Sequence, residues 1–239
     1  MPANAAFTPT RWSLIAVLRS GEEPRVREAL ETLCRAYWYP LYAYVRRAGH
    51  SPEDAADLTQ AFFAKLLEKG VLACADPARG RLRTFLLTAM QNFLCDDWRK
   101  QQRQKRGGGA VLLSIDEPHA ESLYAREPAD QATPEALYHR RWALTMLERT
   151  LSELQADYIS QGKGALFDAL KPALGDDDGA SAAELGAKLN MEPGTVRMAI
   201  LRLRRRYRDR LLAEVATSMD ARTEAEVDEE IAALFRALA

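Results

Sequence analysis

SAAELGAKLNMEPGTVRMAILRLRRRYRDR, residues 181–210, has the pattern of a helix, a tight turn and a second, strongly basic helix. Ser181 and Glu184, three residues apart, form a capping box that satisfies orphan amides at a helix start. Ala182, Leu185 and Leu189 then fall on one apolar face at helical spacing. Asn190, Met191 and Glu192 interrupt the pattern, and Pro193 suits the first turn of a new helix, where its missing N–H costs nothing. Val196, Ile200 and Leu203 recur on one side of it, leaving Thr195, Arg197, Arg202, Arg204, Arg205 and Arg206 for the others. Such a helix can enter a DNA major groove with its N-terminal residues at base edges and its arginines on phosphates. The plainer alternative is a solvated basic helix in a bundle. Cap, turn, apolar spacing and arginine density together favour nucleic acid.

Outward from this stretch, 239 residues suffice for one large or two small domains, and 47% hydrophobic with 28% charged residues excludes wholesale disorder. No apolar run approaches the roughly 20 residues of a membrane span, and the N-terminus lacks a signal pattern. Cys34, Cys74 and Cys95 are scattered, which suggests buried thiols in a reducing compartment rather than disulfides or a metal site. The expectation is a soluble, cytoplasmic protein with no cofactor, no metal and no membrane partner. A net charge of −1 conceals two basic blocks, one at Arg99, Lys100, Arg103, Lys105 and Arg106 and one at 197–210. Acids gather at Asp176, Asp177 and Asp178 and in the tail after Glu214. Two separate basic patches favour two nucleic-acid contacts.

Toward the N-terminus, residues 7–20 predict a short helix with Thr10 as cap and Trp12, Ile15 and Leu18 on one face. Residues 25–49 predict a longer one, whose aromatic residues Tyr37, Trp38, Tyr39, Tyr42 and Tyr44 read as core and whose Pro40 should kink or split it. Ser51, Pro52, Glu53 and Asp54 signal the next helix start, and the apolar pattern runs to Leu67. Residues 71–80 read as a loop. A helix over 81–106 sets Leu82, Phe85, Leu86, Ala89, Phe93 and Leu94 against a polar side with Arg81, Arg83, Thr84, Thr88, Gln91, Asn92, Arg99 and Lys100. Aromatic, basic and amide groups mixed in this way suit single-stranded or melted DNA. Residues 110–131 lack periodicity and read as a linker, flexible at least in part. Thr133, Pro134 and Glu135 start another helix, a short one follows over 165–170, and Pro172 stops it. In the tail, Val227, Ile231, Leu234 and Leu238 make one apolar seam. This seam can dock on its own domain or on a partner. Docked on the basic C-terminal domain, it would screen the arginine helix.

The fold class expected is all-α. An N-terminal helical domain spans 1–106, a linker 107–133, a C-terminal helix-turn-helix domain 134–215, and an acidic helical extension 216–239. Two DNA-facing helical domains on a linker resemble the ECF (extracytoplasmic-function) type of bacterial RNA polymerase sigma factor. Asp54-Ala-Ala-Asp57-Leu58-Thr59-Gln60-Ala-Phe-Phe63 resembles that family's polymerase-binding helix. Phe85-Leu86-Leu87 through Asn92 and Asp96 to Arg99-Lys100 resembles its promoter-melting helix. Gly194-Thr195-Val196-Arg197 with Leu201, Arg202 and Leu203 is similar to its upstream recognition helix.

The resemblance implies a transcription initiation factor rather than an enzyme. Asp54, Asp57, Gln60 and Phe63 would engage the clamp helices of the largest subunit of core RNA polymerase. Arg83, Thr88, Gln91, Asn92, Arg99 and Lys100 would hold the opened minus-ten element of promoter DNA. Thr195, Val196, Arg197, Met198, Leu201, Arg202 and Arg205 would read the minus-thirty-five element. The family usually has acids where this chain has Ala56 and Ala61, and an aliphatic residue where it has Thr59. Phosphorylating Thr59 would restore roughly −1.5 to −2 of charge, which makes Thr59 a candidate for a Ser/Thr kinase. An anti-sigma protein stays open. Residues 155–179 are longer than the family's corresponding stretch, and the acidic tail is extra.

The alternatives are a stand-alone helix-turn-helix regulator, which leaves the second basic domain without a purpose, and a helical interaction protein with no DNA role. His50, His119 and His139 lack metal-ligand spacing, and no phosphate loop or nucleophile elbow is present, which argues against an enzyme.

Overall fold

The computed structural model describes residues 11–20, 23–66, 75–76, 81–101, 117–127, 133–175, 181–219 and 223–239. Among them the regular structure is entirely helical, so the chain is all-α. The helices are α1 (Arg11–Ser20), α2 (Glu23–Arg47), α3 (Pro52–Leu66), α4 (Leu82–Gln101) and α5 (Glu117–Tyr124). After these come α6 (Pro134–Ser160), α7 (Gly164–Leu170) with a short 3-10 turn (Lys171–Leu174), α8 (Ala182–Leu189), α9 (Pro193–Met219) and α10 (Glu224–Leu238). The chain forms two compact units. One comprises Met1–Leu144 with Ala216–Ala239, and the other Thr145–Val215. Helices α6 and α9 therefore each run across a unit boundary, and the tail belongs with the first unit.

In the first unit, Trp12, Leu14, Ile15 and Leu18 of α1 are buried where that helix packs on α2. The aromatic residues of α2 are core, as expected: Tyr37 and Tyr42 are fully buried, and Trp38 stacks on Tyr42 with ring centroids 5.1 Å apart. Pro40 does not split the helix, which is continuous over Glu23–Arg47. An internal proline costs about 3 kcal/mol, but Tyr37, Leu41, Tyr42 and Val45 are buried on both sides of it, and their burial outweighs that cost.

Part of the expected linker is a docked helix. Glu121 on α5 accepts from the Tyr42 hydroxyl at 2.6 Å and from Arg46 Nη2 at 2.8 Å, while the Arg46 guanidinium lies 4.7 Å from the centre of the Tyr124 ring. Glu127 accepts from the Tyr39 hydroxyl at 2.9 Å and pairs with Arg141. This segment is held by charge-assisted hydrogen bonds rather than by an apolar stripe. Its sequence therefore shows no period.

The second unit is built on Leu154, Tyr158, Phe167, Leu170, Leu185, Val196 and Leu203. The capping box at α8 is present, with Glu184 N–H donating to Ser181 Oγ at 3.2 Å and Ser181 N–H to Glu184 Oε2 at 2.7 Å. Asn190 ends α8 in the left-handed conformation at φ 52°. That turn brings the chain back so closely that a Cβ on Gly186 would lie 2.6 Å from the Met191 carbonyl oxygen. Glycine is required there by backbone proximity.

Candidate nucleic-acid interface

The pitch of α9 separates its residues by burial. Val196 and Leu203 are fully buried, while Thr195, Arg197, Met198, Leu201, Arg202 and Arg205 are all exposed. Their spacing places these six on one side of the helix. Met198 at 50% and Leu201 at 57% exposure are large apolar side chains left among arginines. Such a mixed surface can meet phosphates and thymine methyl groups together. Val196 must be corrected: expected at the DNA, it is in the core, because its position falls on the buried stripe. Other arginines of α9 have structural partners. Arg204 Nε donates to the Ala173 carbonyl at 2.8 Å, Arg206 lies 5.5 Å from the centre of the Tyr158 ring, and Arg210 pairs with Asp157 and Glu153.

On α3, Asp54 and Asp57 are exposed and Gln60 is half-buried. Asp54 also closes the helix start, its N–H donating to Ser51 Oγ at 3.1 Å and its carboxylate accepting from that hydroxyl at 2.7 Å. Phe63, expected as a polymerase contact, is fully buried beside Phe62 with ring centroids 5.7 Å apart. Thr59 is equally buried, and its hydroxyl donates to the Ala55 carbonyl at 2.7 Å. A kinase could reach that hydroxyl only with α3 opened.

On α4, Thr88 and Asn92 are exposed one turn apart, and Gln91 is half-buried with its amide donating to Glu135 at 3.1 Å. The side chains of Arg99 and Lys100 lie outside the described residues, as do residues 103–106 and 176–178. Arg83 is not displayed. At 8% exposure, its Nε and Nη2 donate to the two oxygens of Glu230 at 2.7 and 2.9 Å. Its Nη1 lies 2.8 Å from His139 Nδ1, and its guanidinium is 4.5 Å from the centre of the Trp142 ring. Burial, then the Arg83 charge, push the His139 pKa below its ordinary value, which suits a neutral ring accepting at Nδ1. Arg81 joins the same carboxylate at 2.9 Å and reaches Glu229 at 3.5 Å.

Glu230, 1% exposed, was missed by sequence reasoning. The available signal was a lone acid inside the seam of Val227, Ile231, Leu234 and Leu238. That seam belongs to the first unit, where Glu230 pairs with Arg81 and Arg83. Among the described residues, no group of three or more His, Cys, Asp or Glu side chains could hold a metal ion. No helix there is long and apolar enough to cross a membrane.

No solved structure matches the chain. Residues 33–104, which carry most of α2 and all of α3 and α4, match the family model Sigma-70 region 2, so this segment is similar to that region of sigma factors.

Proposed function

We propose that the chain is an ECF-type sigma factor that binds core RNA polymerase and directs it to specific promoters. The observation that carries the reading is the region 2 match over 33–104, accompanied elsewhere in the chain by an exposed arginine-rich helix face. Asp54, Asp57 and Gln60 on α3 offer the polymerase an acidic, hydrogen-bonding surface. Thr88 and Asn92, with Gln91, Arg99 and Lys100, serve the opened minus-ten strand, where phosphates are neutralised and bases are bonded. Thr195, Arg197, Met198, Leu201, Arg202 and Arg205 read the minus-thirty-five duplex. Neither contact alone selects a promoter; specificity comes from phosphate positioning and base readout acting together. Because Thr59 is buried, control by a Ser/Thr kinase at that residue requires a transient opening of α3.

Transcription with core polymerase on a library of upstream sequences tests the reading. Transcripts from a defined pair of elements are expected. Failure of the purified chain to associate with core polymerase overturns it. Tight binding to one duplex without polymerase would favour a stand-alone regulator.

A further inference from the structure

We infer that Arg81 and Arg83 form a binding site for the phosphates of single-stranded DNA, and that the Glu230 carboxylate occupies it in the free chain. The C-terminal helix α10 then acts as an internal competitor of nucleic acid on α4. This rests on the reading of α4 as a DNA-facing helix.

The geometry is that of a prepared anion site. Arg83 presents Nε and Nη2 side by side to two oxygens of one group at 2.7 and 2.9 Å, a fork that fits a phosphate as well as a carboxylate. Its orientation does not depend on Glu230 alone. Trp142 stacks against the guanidinium, His139 Nδ1 takes a third N–H, and the Tyr138 hydroxyl donates to the Arg83 carbonyl at 2.9 Å. With the carboxylate withdrawn, these three contacts still aim the fork. Arg81 supplies a second cation to the same oxygens.

The occupant comes from 147 positions along the chain, on a helix whose apolar anchoring is slight. On the seam of α10 only Leu234 is fully buried, with Val227, Ile231 and Leu238 half-buried. Glu224, Glu226, Asp228 and Glu229 make the N-terminal half of α10 acidic and exposed, so that half presents negative charge as a nucleic-acid strand does. A carboxylate that is 1% exposed has given up its water and is compensated by these arginines. A phosphate strand offers the same pair an equivalent partner, after which Glu230 can return to water.

The experiment uses the 239-residue chain and a fluorescein-labelled oligothymidylate, with binding followed by anisotropy over a salt series. Four proteins are compared: wild type, Glu230→Gln, Arg83→Gln and the double variant, with thermal melts confirming that each is folded. Glu230→Gln is expected to bind roughly tenfold more tightly than wild type. Its slope of log affinity against log salt should steepen by about 0.7 for each phosphate gained. Both changes should disappear in the double variant. Wild-type affinity in a folded Glu230→Gln protein, or a gain that survives loss of Arg83, overturns the inference and leaves a purely structural ion pair. If Glu230→Gln does not fold, Glu230→Asp, which draws the charge back by one methylene, is judged by the same two criteria. Transcription by the wild-type chain with core polymerase separates the layers. Transcripts with unchanged Glu230→Gln binding remove the competitor and keep the sigma-factor reading. Tighter binding without transcripts keeps the phosphate site and removes that reading.

Discussion

On α9, Arg197, Arg202 and Arg205 stand exposed beside Met198 and Leu201, with an exposed Asp209 at 3.8 Å from Arg205. On α4, Arg83 is enclosed by Glu230, His139 and Trp142. Both helices carry arginines at the spacing of a polar face, and nothing local distinguishes them. The difference lies in what a distant segment delivers. An exposed pair such as Arg205 with Asp209 is worth little and leaves the cation available to a ligand. The enclosed pair is a tertiary contact that holds α10 in place. An arginine-rich helix thus marks where anions can bind, while the rest of the fold decides whether the position is vacant.

The contrast can be broken at its most extreme point by placing a charge inside the first unit. Thr59→Glu should destabilise by on the order of 4 kcal/mol, because a carboxylate enters a core with no partner. Denaturant unfolding checks this, and a stable, more active Thr59→Glu protein would support control by phosphorylation at that residue without an opening of α3. Next comes the direct comparison of Arg83 with Arg202. Arg83→Gln should cost about 3 kcal/mol of stability by stripping one partner from a buried carboxylate that Arg81 still holds. Arg202→Gln should leave the melting temperature unchanged and weaken promoter binding by about 1–3 kcal/mol. Equal effects of the two substitutions on melting would erase the distinction.

A fourth substitution sharpens the contrast from the second unit. Gly186→Ala should cost about 1–3 kcal/mol by pushing against the Met191 carbonyl, and should loosen the exposed face of α9 without touching it. The smallest effect concerns pH. His139 sits among Arg81, Arg83, Glu135 and Glu230 with its folded pKa below the ordinary value. The unfolded chain therefore takes up the proton first. Its contribution is complete above about pH 6.5 and is lost as pH falls from there toward the lowered folded value. Melting temperatures measured between about pH 7 and pH 5 should show this slope, reduced in His139→Asn.

The second unit was largely legible. The Ser181 cap, the break at Asn190 and the spacing of Val196 and Leu203 are local signals, and α8 and α9 follow them. The aromatic core of α2 was legible for the same reason. Less visible were features that depend on partners far along the chain. The helix α5 has no apolar period because its hold on α2 is polar, through Glu121 on Tyr42 and Arg46. Phe63 and Val196 fall at positions of the motifs that the chain resembles, but helical pitch turns them to the core. Glu230 looked like one acid among many in the tail, and its burial exists only because two arginines meet it there.

The amino-acid order alone determined that the chain is helical, where most helices begin, and which positions of α9 face outward, since capping and periodicity act within a few residues. Only the tertiary structure decided which cations remain open to a ligand and where the tail rests. A charge is satisfied by whatever the fold carries within about 4 Å of it, and that distance is not written in sequence spacing.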